Sequence, residues 1–84
     1  YKPYVPHAWI PGPGFAASLQ LAGSIPNCPY IEYPWDPPSY SIDVWQMLLT
    51  EQIRIDKEGY LAVPQKPGLG VELNEEIIGM YRRV

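Results

Sequence analysis

"YVPHAWIPGPGFAASLQLAGSIPNCPYIEYP", residues 4–34, decides the fold. Tyr4 and Val5 open it as a short β-prone run that ends at His7, the only histidine of the chain. Pro11-Gly12-Pro13-Gly14 reads as a turn. Residues 14–27 then read as a helix. Phe15, Leu19 and Ala22 fall at i, i+4 and i+7, Ala16 and Ala17 lie alongside, and Gly23 and Pro26 supply the stop. No charged residue occurs from Ile10 to Tyr30, so this helix is expected to be covered on most sides. Residues 28–34 form a second β-prone run, rich in Tyr and Ile and closed by Pro34. Strand, helix, strand is the βαβ unit of an α/β protein, with its two strands parallel. His7 then stands where a strand hands over to a loop, the rim on which such folds place their chemistry.

Downstream, "WDPPSYS" (35–41) is an extended or turn segment, because paired prolines cannot continue a helix. "IDVWQMLLTEQ" (42–52) carries both patterns, and a short helix or turn is expected near Asp43 to Gln46, with those two residues as a capping box. A hairpin follows: Ile53 to Ile55, a turn at Asp56-Lys57-Glu58-Gly59, then Tyr60 to Val63. Residues 64–70 are loop. A last helix starts near Asn74, with Glu75 and Glu76 in its first turn, Arg82 and Arg83 in its last, and Leu73, Ile77 and Tyr81 as its apolar stripe. One βαβ unit with a tail is not a complete core, so a piece of a larger α/β protein is expected.

Bulk properties narrow the function classes. Eighty-four residues allow one small domain at most. Hydrophobic residues make up 46% and aromatics 13%, which argues against disorder despite 11 prolines and seven glycines. A net charge of −3 with no basic stripe speaks against nucleic acid, and no apolar run is long enough to span a bilayer. The single cysteine, Cys28, excludes an internal disulfide and favours a reducing, cytoplasmic setting. Its simplest role is that of a small buried hydrophobe.

The order of segments, a "PH" at a strand end, an alanine-bearing helix ending in "PN", a Glu on the next strand and then "GYLAVPQKPGLGVELNEE" (59–76), resembles the C-terminal part of the mandelate racemase and muconate lactonizing enzyme family, within the enolase superfamily. The resemblance covers essentially the whole chain and is most specific over 59–76. It implies a C-terminal fragment of a modified (β/α)8 (TIM) barrel. Residues 3–8 would be strand seven, 14–25 its helix and 29–33 strand eight. Residues 1–41 would thus close the barrel, and 42–84 would pack back on the barrel and the capping domain.

The same resemblance implies Mg2+-dependent removal of the proton α to a carboxylate, through an enediolate. His7 would be the general base. Glu32 would hydrogen-bond a substrate carboxylate oxygen, as a buried, protonated carboxyl able to donate. Trp9 would line the substrate pocket. The metal ligands and the Asp partner of the base would lie outside this chain, and Asp36 and Asp43 do not fill those roles. A strand-seven His implies dehydration of a sugar acid (aldonate or aldarate), with racemisation of a 2-hydroxy acid as the alternative. A small-molecule carboxylate, the remainder of the barrel and further copies in a homo-oligomer are the expected partners, with neither nucleic acid nor membrane.

Plainer roles stand beside each assignment. A lone His among aromatics is commonly structural, a strand Glu is commonly solvated or salt-bridged, and Trp9 could simply pack. Trp35 and Trp45 are expected in a core or interface. "PNCPYIEYPWDPPSY" (26–40) could alternatively be a non-catalytic segment recognised in extended form by a partner.

Overall fold

The computed structural model describes residues 2–7 and 9–83, so Ala8, the end of the expected first strand, lies outside the described residues, as do Tyr1 and Val84. Three helices follow one another: α1 (Gly12–Gly23), α2 (Ile42–Trp45) and α3 (Glu75–Tyr81). Helix α1 begins two residues earlier than its apolar spacing suggests, and the Pro-Gly-Pro-Gly run is its first turn rather than a separate one. Prolines fit there because the first N–H groups of a helix have no internal partner. Pro11 caps the helix with extended backbone, and its carbonyl accepts from Phe15 N–H at 3.1 Å. The stripe Gly12, Phe15, Ala16, Leu19 and Ala22 is buried.

That stripe meets the second half of the chain. Phe15, Ala16, Leu19, Trp45, Leu49 and Ile53 form one buried cluster, with Ile31, Tyr33, Leu61 and Val63 packed against it. The approach is close. A Cβ on Gly12 would lie 2.7 Å from Leu49 Cγ. The ring of Phe15 lies 4.8 Å from that of Trp45 and 5.7 Å from Tyr33, and the Tyr33 and Trp45 rings are 5.2 Å apart. Trp45 donates from its indole N–H to Pro34 O at 2.9 Å, which leaves no polar cost for burying it.

Helix α2 sits where expected but is capped differently. Ser41 is its N-cap and accepts from Val44 N–H at 3.3 Å, while Asp43 reaches outward to Gln52 at 2.6 Å. Gln46 is therefore no capping partner. It is 1% exposed, donates to Ile53 O at 2.7 Å and to Tyr33 Oη at 3.2 Å, and accepts from Ile53 N–H. One amide thus gives Ile53 the two bonds that a neighbouring strand would otherwise provide.

The expected strands carry no ladder among the described residues. Tyr4 N–H donates to Asn27 O at 2.8 Å, and the Asn27 amide donates to Lys2 O at 2.6 Å. A parallel ladder continuing in that register would next need N–H groups from residues 29 and 6. Both are proline, and proline has none. The isolated bridges are Asp36–Tyr40 and Leu49–Leu73. The expected turn at 56–59 does form. Asp56 Oδ1 accepts from the N–H groups of Glu58 and Tyr60, both at 2.9 Å, and Gly59 takes φ +88°. The last helix is capped by Asn74, whose Oδ1 accepts from Ile77 N–H at 3.2 Å. It stops at Tyr81, so Arg82 and Arg83 fall beyond its last turn. Its expected apolar stripe is not buried within this chain, and Leu73, Met80 and Tyr81 are exposed.

Candidate active site

The segments on either side of α1 bring His7 and Glu32 together. His7 Nδ1 lies 2.9 Å from Glu32 Oε1, across a sequence gap that α1 spans. Glu32 is anchored through its neighbour: the Tyr33 hydroxyl donates to Ile53 O at 2.6 Å, and its ring belongs to the Phe15–Trp45 cluster. Burial pushes the Tyr33 phenol above its usual range, opposed by the Gln46 hydrogen bond and the Arg54 charge. His7 is held from the other side. Trp9, two residues on, stacks on Tyr40 with ring centroids 5.2 Å apart, and Tyr40 closes the 36–40 turn by exchanging backbone bonds with Asp36.

Both site side chains face solvent in this chain, His7 at 78% exposure and Glu32 at 37%. The buried carboxyl expected of Glu32 is thus not provided by these residues. A cleft of about 310 Å³ opens between α1 and the 55–63 turn, lined by Leu19, Ile31, Tyr33, Tyr60, Leu61 and Val63 among others. Neither His7, Glu32 nor Trp9 lines it. Trp35 is 69% exposed, whereas Trp45 is 2% exposed, so only the second tryptophan belongs to the core. Cys28 is half-buried and hydrogen-bonds through its thiol to Tyr30 O at 3.3 Å. Among the described residues no three His, Cys, Asp or Glu side chains converge as a metal cage would need. No helix among the described residues is long and apolar enough to cross a membrane.

The His7–Glu32 pair stands on the two segments that flank α1. The chain belongs to the enolase C-terminal domain-like family, whose model matches residues 1–77. It is 35% identical over 78 residues to a D-xylonate dehydratase of Haloferax volcanii, an alignment covering 93% of this chain and 18% of that protein. The chain thus spans under a fifth of the length of this relative. No solved structure matches it.

The sequence singled out Gln46 only as a capping partner and so missed its place at the centre of the polar core. Its setting in "VWQML" gives one signal of burial, a lone amide in an apolar window.

Proposed function

We propose that this chain supplies the acid–base rim of a sugar-acid dehydratase, with His7 as general base and Glu32 as the group that meets the substrate carboxylate. The observation that carries this reading is the 2.9 Å approach of His7 to Glu32 in a chain of the enolase C-terminal domain-like family. The likeness to the Haloferax D-xylonate dehydratase favours dehydration of an aldonate over racemisation.

The proton on C2, α to the carboxylate, is weakly acidic, and its removal puts two negative charges on the carboxylate oxygens of an enediolate. His7 accepts that proton at a ring nitrogen. The C3–O bond then breaks as the C2=C3 double bond forms, and the same imidazole returns a proton to the departing hydroxyl, releasing water. The enol product becomes a 2-keto-3-deoxy acid. Glu32 stabilises the enediolate by hydrogen-bonding one of its oxygens, and Trp9 walls the site. Mg2+, held by carboxylates outside this chain, would supply charge neutralisation; the part of these residues is to take and return the proton. Residues 1–41 carry this rim as strands seven and eight of a barrel, and 42–84 form its return toward a capping domain.

The intact protein bearing this chain should convert D-xylonate or a related aldonate to the 2-keto-3-deoxy acid in the presence of Mg2+. His7→Asn, which cannot accept and return a proton, should lower turnover by roughly 10²- to 10⁴-fold or more, since one residue serves two steps. It should still bind the sugar acid. A folded His7→Asn enzyme that dehydrates at near the parent rate refutes the assignment.

A further inference from the structure

We infer that helix α3 is a pairing face for a second copy of this chain, the two helices lying antiparallel about Gly79. The inference is independent of the chemistry at His7. Ile77 and Ile78 are half-buried, while Glu75, Glu76, Gly79 and Met80 are exposed. Residues 75 and 79, and 76 and 80, are four apart, so these four share one outward face of the helix. Gly79 is the residue of that face which its own chain does not explain. Glycine inside a helix is destabilising relative to alanine. A Cβ at 79 would meet nothing within 4 Å, and the backbone there is not left-handed, so neither crowding nor conformation calls for glycine. A second backbone approaching the outward face does.

The charges choose the partner and its direction. Glu75 and Glu76 open the helix, and Arg82 and Arg83 follow its end. Among the described residues none of the four makes an ion pair. They stand too far apart to pair within one copy, since seven helical residues span about 10 Å. A second copy laid antiparallel about Gly79 sets Glu75 against the partner's Arg83 and Glu76 against the partner's Arg82, and the twofold axis repeats both contacts. A parallel copy would set like charges together. Exposed ion pairs add little affinity, so their part is to fix direction. The affinity comes from Met80, 68% exposed, closing over the partner's Gly79, and from Tyr81 beside it. Tyr81 borders an apolar groove of about 280 Å³ walled by Tyr40, Val44, Met47 and Leu48, which extends the contact beyond one short helix. A contact of this size makes a weak, concentration-dependent dimer.

The experiment is sedimentation equilibrium of the full chain, from micromolar concentrations to about 1 mM. The parent is expected to pass from monomer to dimer. Glu75→Arg with Glu76→Arg, and separately Arg82→Glu with Arg83→Glu, should each weaken self-association by about tenfold or more, because each variant then meets its own charge. Mixed in equal amounts, the two variants should dimerise again, each supplying the sign the other lacks. Gly79→Gln introduces a better helix former where a Cβ has free space, so it should keep the fold and lose the dimer. Urea unfolding followed by tryptophan fluorescence verifies that each variant is folded. A parent that stays monomeric at the highest concentration, a dimer that the charge variants or Gly79→Gln leave intact, or charge variants that fail to recover on mixing overturns the inference.

Discussion

Replacing Gln46 by leucine tests how the support beneath the site is built. The side chain is 1% exposed and its amide serves both polar groups of Ile53, itself 7% exposed. Leucine fills a similar volume, so the cost falls on hydrogen bonding. Ile53 O keeps a donor, because the Tyr33 hydroxyl still reaches it at 2.6 Å. Ile53 N–H loses its acceptor and stays buried, a loss of about 1–3 kcal/mol. For a domain of this size that lowers Tm by roughly 5–20 °C. Tyr33→Phe alone should cost less, since Gln46 continues to donate to Ile53 O at 2.7 Å. The double variant strands both groups of Ile53 and should exceed the sum of the single losses by about 0.5–3 kcal/mol. Urea unfolding of the four proteins, followed by tryptophan fluorescence, reads all three quantities. A Gln46→Leu chain as stable as the parent, or strictly additive losses, would refute this account of the core.

Glu32→Ala in the intact protein should lower kcat by roughly 10²- to 10³-fold, the usual cost of losing one donor to a developing oxyanion, and Glu32→Gln should lose less; steady-state kinetics on an aldonate decides it. Gly12→Ala places a methyl 2.7 Å from Leu49 Cγ, in a side chain only 4% exposed, and should destabilise by about 1–3 kcal/mol on urea unfolding. Tyr33 adds an alkaline limit. Its folded pKa lies above the unfolded value of 10.0, so the unfolded chain releases the proton first, and this contribution is whole below pH 10 and lost as pH rises from there toward the folded value. Tyr33→Phe should flatten that part of the stability–pH curve, and a parallel decline in both proteins would remove Tyr33 as its cause.

Much of the helical framework was legible because it follows from periodicity. Phe15, Leu19 and Ala22 announce α1, and Asn74 followed by two glutamates announces α3. The start of α1 was hidden because Pro and Gly usually mark turns, whereas at the first helical positions a missing N–H costs nothing. The strands misled for the opposite reason. Tyr, Val and Ile around Tyr4 and Ile31 suit a sheet, yet Pro6 and Pro29 remove the N–H groups that the observed register would use. His7 and Glu32 could be placed at two segment ends from sequence, but their 2.9 Å approach depends on how α1 seats on Trp45 and Leu49, a tertiary matter. Gln46 was missed because its role lies in a contact with a residue seven positions away.

The unequal anchoring of the two site residues gives the rim one stiff jaw and one compliant jaw. Glu32 is a single peptide unit from a ring wedged among Phe15 and Trp45, and any displacement of its backbone must shear that cluster. His7 is held by softer contacts, the Tyr4–Asn27 hydrogen bond before it and Trp9 lying flat on Tyr40 beyond it, and stacked rings slide over one another more readily than interlocked ones separate. A ligand wedged between them should therefore displace the imidazole before the carboxyl. Such travel would pass through the Trp9–Tyr40 stack to the 36–40 turn, whose next residue, Ser41, caps α2. Loading of the rim would thus be felt at the start of the helix that carries Trp45, and through that ring it reaches the cluster beneath Glu32.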